Sequence, residues 1–194
     1  QRQMCIRDST TAEQARLINV TAYPEDEAFL QAMARCVEEG LQRFPRSERD
    51  NVHLLFSAHS VPVKFIRRGD PYPDHVARTV RGIMARLSTS YEHHISYQSR
   101  IGPMRWLEPS PEALVRRLGK QGVKSLLVVP VSFVSEHIET LHELDVRLAA
   151  SARQAGIHRF ERAPTPGDRF EFIEALVQQV ARVLPRDSIA PQDE

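Results

Sequence analysis

Two apolar segments of this chain end in the same way, at small polar residues and a histidine. Residues 52–62 read VHLLFSAHSVP, and residues 126–145 read LLVVPVSFVSEHIETLHELD. Apolar runs rich in β-branched residues are typical of strands buried in a parallel sheet. Ligands of open α/β sheets bind in the crevice at the carboxyl ends of such strands. We therefore expect His59, His137 and Glu139 to converge on one site.

Strand-like and helix-like segments alternate along the rest of the chain. The patterns predict strands at residues 16–20, 51–58, 94–99, 123–131 and 158–162, and helices at about 26–43, 73–90, 111–118, 135–155 and 169–184. This alternation is typical of an α/β fold in which helices cover a mostly parallel sheet. We expect a three-layer, Rossmann-like domain.

Composition excludes several classes of function. The net charge of +1, from 26 basic and 25 acidic residues, argues against the clustered positive surface that binds nucleic acid. The two cysteines, Cys5 and Cys36, form no C-x-x-C pair, which excludes a zinc ribbon or a four-cysteine iron–sulfur cluster within this chain. So few cysteines favour a reducing compartment, and we expect a cytoplasmic protein.

His59 is the first candidate for chemistry. It follows a predicted strand within Ser57-Ala58-His59-Ser60, where small neighbours leave space around the ring. A histidine can take up or release a proton near neutral pH because its reference pKa is about 6.5. The alternative interpretation is a structural histidine that is hydrogen-bonded in a loop.

The run S-E-H-I-E-T-L-H-E-L-D is the second candidate. On an α-helix Glu136, Glu139 and Glu143 would share one face, opposite an apolar side of leucines 141, 144 and 148. His137 and Glu139 would diverge on an ideal α-helix, but they can meet at a helix start or at a π-type bulge. The run is not the H-E-x-x-H zinc motif. The alternative is an acidic, solvent-exposed face.

Four ordered motifs resemble a known family. LLFSAHSVP, RRGDPYPDHVARTV, YQSRIGPMRWLEPS and FVSEHIETLHELD, within residues 16–184, are similar to the C-terminal half of ferrochelatase, which inserts ferrous iron into a porphyrin during haem synthesis. The resemblance implies a chelatase-like fold with the porphyrin in a cleft between two halves. It leaves open whether protoporphyrin IX or coproporphyrin III is the substrate.

The resemblance also implies roles for individual residues. His59 matches the active-site histidine, and Glu139 matches an acid that faces it across the porphyrin. These two residues are the expected catalytic and metal-contacting pair. His137 and Glu143 match the rest of the H-x-E-x-x-x-E run, an auxiliary path for metal or protons.

The implied partners are a porphyrin and ferrous iron as substrates, with no permanently bound cofactor, no iron–sulfur cluster and no nucleic acid. Peripheral contact with a membrane and the oligomeric state stay open. Two alternatives are a fragment that binds metal or porphyrin without turnover, and a small-molecule-binding α/β domain without a tetrapyrrole role.

The resemblance to one half of the family also implies a division of the chain. It implies a remnant and linker helix of the N-terminal half at 10–50. Separately, QRQMCIRDS has no helical or strand periodicity, so we expect a non-native or disordered leader at residues 1–9. The C-terminal chelatase domain is expected at 51–185, with a disordered tail at 186–194.

Overall fold

Four parallel strands form the centre of the fold in the computed structural model, which describes residues 18–184. The strands are β1 (His53–His59), β2 (His93–Gln98), β3 (Ser125–Val129) and β4 (Arg159–Arg162). The α-helices are α1 (Glu27–Gln42), α2 (Val63–Ile66), α3 (Tyr72–Met84), α4 (Pro111–Lys120), α5 (Ala149–Gln154) and α6 (Phe170–Val183). A 3₁₀ turn lies at Arg49–Asn51, and a π-helix spans Glu139–Leu148.

The sheet has the strand order β2-β1-β3-β4, so β1 and β3 are central. In the parallel register Leu55 lies beside His94 on one side and beside Val128 on the other. Every residue of β3 is buried, as expected of a strand covered on both faces. The predicted α/β fold with a parallel sheet is confirmed.

Each face of the sheet carries its own apolar core. Successive side chains of a strand point to opposite faces, so Leu54 and Phe56 enter one core while Leu55 enters the other. The first core is completed by α1, α3 and α6, and the second by α4, the π-helix and α5. The result is the three-layer arrangement that the sequence predicts.

Three predicted elements differ from the structure, and one of them, the helix expected at 135–155, is a π-helix over Glu139–Leu148 followed by α5. The strand expected at residues 16–20 is wrong where it can be judged, because residues 18–20 are not in a strand; residues 16–17 lie outside the described range. The helix expected at 73–90 ends at Met84, since the Ser-Thr-Ser run at 88–90 offers hydrogen bonds that compete with helical ones. The predicted leader and tail lie outside the described residues.

The part of the chain from residue 18 to residue 184 contains no helix that is both long and apolar enough to cross a bilayer.

Asp26 joins the first and last helices. Its Oδ1 caps α1 by accepting a hydrogen bond from the Phe29 amide at 3.1 Å. Its Oδ2 accepts hydrogen bonds from Gln179 Nε2 at 2.7 Å and from Arg182 Nη1 at 3.1 Å, both on α6. The side chain is only 1% exposed, and these contacts compensate for its burial.

We expect Asp26→Ala to lower the free energy of unfolding by about 1–3 kcal/mol, because the helix cap is lost and Gln179 is left without its acceptor. Chemical denaturation of the two proteins measures this difference. Asp26→Asn, which keeps an oxygen for the cap, should lose less. Equal stability of Asp26→Ala and the unaltered chain would contradict the capping role.

Candidate active site

Polar side chains gather at the carboxyl edge of the sheet, where β1, β2 and β3 end. His59 is the last residue of β1, and Gln98 is the last residue of β2. The backbone of His59 is fixed on both sides: its N–H donates to Ser132 Oγ at 2.6 Å, and its carbonyl accepts from the Tyr72 hydroxyl at 2.8 Å. The position of the imidazole is therefore set by the ends of three separate elements.

His59 and Glu139 form a direct pair, with 3.0 Å between His59 Nδ1 and Glu139 Oε2. Their side chains are 44% and 30% exposed, so the pair is open to a ligand on one side. A carboxylate only accepts hydrogen bonds, so this contact selects the tautomer in which Nδ1 carries the proton. Nε2 then keeps its lone pair, and it has no hydrogen-bond partner within residues 18–184.

Ser99 connects Glu139 to a second carboxylate. Its Oγ lies 2.5 Å from Glu139 Oε2 and 3.0 Å from Glu143 Oε2. Gln98 Nε2 also donates to Glu143 Oε2 at 3.3 Å, while Gln98 Oε1 accepts from Ser57 Oγ at 2.6 Å. A hydroxyl has one proton to donate, so Ser99 serves both carboxylates only when one of them is protonated.

The backbone of Ser99 is in the left-handed region, with φ of 62°. Among non-glycine residues this conformation is uncommon and costs of the order of 1 kcal/mol or more. Here it turns the chain directly after β2 and places the hydroxyl between Glu139 and Glu143. The strained residue thus lies at the centre of the polar cluster.

The environment of Glu139 favours its ionised form. Partial burial works to raise the pKa of Glu139, but the hydrogen bonds from Ser99 and His59 outweigh it. The pKa of Glu139 consequently lies below its ordinary value. The carboxylate is therefore available as a hydrogen-bond acceptor and as a counter-charge at neutral pH.

Ser99→Gly should raise the pKa of Glu139 toward its ordinary value, because it removes the hydroxyl while the φ of 62° suits glycine. A depressed carboxyl pKa stabilises the fold above the unfolded value of about 4.3, and this stability is lost as pH falls through the folded pKa. NMR titration of the Glu139 carboxyl carbon measures the midpoint. A midpoint that is identical in Ser99→Gly and the unaltered protein would contradict this assignment.

Glu139 lies on a π-helix and not on the expected α-helix. The predicted grouping of side chains on its faces is therefore partly wrong. Glu139 and Glu143 do share a side, but Glu136 lies before the helix and binds Arg162 and Thr165 instead. The side chains of Leu144 and Leu148 are buried, whereas Leu141 is 49% exposed. The wider turn of a π-helix moves positions three apart onto different sides.

His137 lies beside the pair and makes no hydrogen bond to His59. Its Nδ1 accepts the amide N–H of Glu139 at 3.3 Å, and its ring packs on Phe133 with 5.0 Å between centroids. Phe133 in turn meets the edge of His59 at 6.3 Å. His137 therefore helps to start the π-helix and completes an aromatic border of the site.

The structure brings His59, Glu139 and Glu143 together, as the sequence predicts. His59 and Glu139 are in direct contact at 3.0 Å, whereas the resemblance implied that they face each other across a porphyrin. Four supporting residues were missed: Tyr72, Gln98, Ser99 and Ser132. Ser99 comes directly after β2, and His59 is the last residue of β1; this position at the end of a strand is the signal that could have indicated Ser99.

Within the described range 18–184, no three side chains of His, Cys, Asp or Glu come together as a metal-ion site. The pair of His59 and Glu139 therefore offers a metal ion two side-chain ligands at most.

Comparison with known proteins decides the family. The model of the family described as Ferrochelatase matches residues 3–184. The chain belongs to the ferrochelatase family. A ferrochelatase of Geotalea daltonii is 48% identical over 155 residues, which cover 80% of this chain and 48% of that relative. One of a Nostoc species is 42% identical over 170 residues, which cover 87% of this chain and 43% of that relative.

The chain thus spans about half the length of the curated ferrochelatases it matches. Among solved structures, the cobalamin (vitamin B12) biosynthesis protein CbiX of Marinobacter aquaeolei is similar, with a TM-score of 0.50 and 16% identity. The match covers 68% of this chain and 95% of that protein. At this identity the similarity concerns the fold alone, and it agrees with the chelatase-like fold expected from the sequence.

Proposed function

We propose that the full-length gene product is a ferrochelatase, a lyase that inserts Fe²⁺ into a porphyrin, and that this chain supplies one wall of its site. The observation that supports this most is the continuous polar series from His59 through Glu139 and Ser99 to Glu143 at the carboxyl edge of the sheet. Porphyrin metalation needs proton acceptors and weak metal ligands, and this series contains both.

The first requirement is to remove two pyrrole protons from the porphyrin. His59 Nε2 has a free lone pair because Nδ1 is engaged by Glu139. We assign the role of proton acceptor to this nitrogen, and the role of stabilising the resulting imidazolium to Glu139. This division between a base and its orienting carboxylate is common among general bases in enzymes.

The second requirement is to strip water from Fe²⁺ without holding the ion. Imidazole nitrogen and carboxylate oxygen suit first-row divalent metals, whereas a thiolate set would bind them more tightly. His59 and Glu139 give two such ligands, too few for a closed structural site. We propose that they contact the iron transiently before it enters the macrocycle.

The third requirement is an exit for the protons. Ser99 Oγ lies within hydrogen-bond distance of both Glu139 and Glu143. A proton that reaches Glu139 can pass to Ser99 as the Ser99 proton moves on to Glu143, without any side chain changing place. Glu143 is the outer end of this relay, and Gln98 holds it in position.

The porphyrin must lie over the open side of the His59–Glu139 pair, since no ring fits between two groups 3.0 Å apart. The part of the family length that this chain does not span would then cover the opposite side of the ring. The cytoplasmic location, the absence of a resident cofactor and the division into segments stay predictions from the sequence. The choice of porphyrin stays open.

Zinc insertion into a porphyrin, followed by fluorescence under low-oxygen conditions, tests the proposal. The full-length gene product should form the metallated product, and the 194-residue chain alone should at most bind porphyrin and shift its absorption. Binding without turnover by the full-length product would favour the non-catalytic alternative. No spectral change at all would favour a domain without a tetrapyrrole role.

A further inference from the structure

Arg162, at the end of β4, binds two carboxylates at once. Its Nε and Nη2 donate to the two oxygens of Asp145 at 2.6 and 3.0 Å, and its Nη1 donates to Glu136 Oε1 at 2.9 Å. The Arg162 side chain is only 12% exposed. Two-point contacts of this kind between arginine and a carboxylate fix direction as well as distance.

The two carboxylates bracket the π-helix. Glu136 precedes its first residue, Glu139, by three positions, and Asp145 lies in its second half. Glu136 is held further by the amide and hydroxyl of Thr165, each at 3.1 Å. Although burial works to raise the pKa of Glu136, the hydrogen bonds from Arg162 and its neighbours keep that pKa below its ordinary value. Arg162 with Glu136 and Asp145 is called the anchor below, and its Glu136 carboxylate is thus kept ionised beside the guanidinium.

This anchor is incompatible with the α-helix that the sequence pattern predicts for residues 135–155. Glu136 and Asp145 are nine positions apart, which is about two and a half turns of an α-helix. Their side chains would point to opposite faces, and one guanidinium would not reach both. The two contacts of Arg162 therefore exclude an unbroken α-helix from residue 135 onward.

The π-helix also carries two residues of the proposed proton relay, on the side away from Arg162. Glu139 and Glu143 reach Ser99 beyond β2, whereas Arg162 lies on β4, at the opposite edge of the sheet. A π-helix is rare and usually limited to a single turn, so a stretch from Glu139 to Leu148 depends on its contacts at both edges.

We propose that Arg162 is a positioning residue that holds the π-helix in the register that presents Glu139 and Glu143 to the site. Arg162 makes its side-chain contacts to Asp145, Glu136 and the Ala163 carbonyl, and none to His59. Its effect on turnover rests on the proposed function, whereas its effect on the His59–Glu139 contact does not. The two effects are therefore measured separately.

The contact is read from the NMR resonance of the His59 Nδ1 proton, which a carboxylate partner moves downfield and protects from exchange. Turnover is read as kcat and KM for zinc insertion by the full-length gene product. We expect Arg162→Met to abolish the resonance and to lower kcat at least tenfold, with less than a threefold change in KM for porphyrin. Arg162→Lys should restore both in part.

Arg78→Met is the matched control, because Arg78 pairs with Glu25 on the surface of α3, away from the site. It should leave the resonance and kcat unchanged. If Arg162→Met does not fold, Asp145→Asn takes its place and should weaken the resonance. A folded Arg162→Met or Asp145→Asn protein with the unaltered resonance overturns the proposal. If Arg162→Met loses the resonance and the unaltered protein shows no turnover, the positioning role is supported and only the proposed function is rejected.

Discussion

Replacing His59 with alanine should slow zinc or iron insertion by the full-length gene product by about 10²–10⁴-fold, the range typical of losing a general base. The fold should be kept, because the backbone N–H and carbonyl of His59, which bind Ser132 and Tyr72, are unchanged. Initial rates of zinc-porphyrin formation measure the loss. The effect should be on kcat more than on KM, since the proton is transferred only during the reaction.

His158→Ala is the appropriate control for this variant. His158 is exposed and immediately precedes β4, at the amino edge of the sheet and far from the cluster. It should leave the rate of insertion unchanged. Full activity of His59→Ala, or an equal loss in both variants, would contradict the role assigned to His59.

Glu139→Gln should reduce the rate by about 10–100-fold, the effect expected when the partner of a reacting histidine loses its charge. The amide keeps nearly the shape of the carboxylate, so an oxygen can still accept from His59 Nδ1. It carries no negative charge to stabilise the imidazolium, and it cannot accept a proton for the relay through Ser99. Glu143→Gln should have a smaller effect, because Glu143 lies at the outer end of that relay.

The pH dependence of the rate separates the role of Glu139 from that of Glu143. The pKa of Glu139 lies below its ordinary value, so the rate should fall only in acid, where Glu139 becomes protonated. Glu139→Gln should remove this fall. Glu174→Gln, on the exposed side of α6, should change neither rate nor pH profile. An unaltered rate in Glu139→Gln would show that the pair with His59 has no part in the reaction.

The sequence predicted the layers of the fold because the signals for them are local. The apolar runs predicted β1 and β3, and the helix predicted at 111–118 is present as α4, where Ser110 Oγ accepts a hydrogen bond from the Ala113 amide at 3.2 Å. Residues 18–20 carry similar apolar residues but have no neighbouring strand. A strand depends on a partner that local patterns do not reveal.

The reacting residues of the site could be predicted from the sequence, but their arrangement could not. His59 and Glu139 follow adjacent strands, and a parallel sheet brings such positions to one edge. Their direct contact depends on the π-helix, which Arg162 holds from β4. The spacing of the leucines fits an α-helix, so the local pattern predicts the wrong path of the chain.

We propose that the carboxyl edge of this sheet is where a porphyrin receives its metal. The most direct test is anaerobic incubation of the full-length gene product with Fe²⁺ and porphyrin, with haem formation followed by absorption, beside the same protein carrying His59→Ala. We expect haem to form catalytically with the unaltered protein and to fall by at least a hundredfold in the variant. No haem from the unaltered protein, or equal rates from both, would contradict the claim.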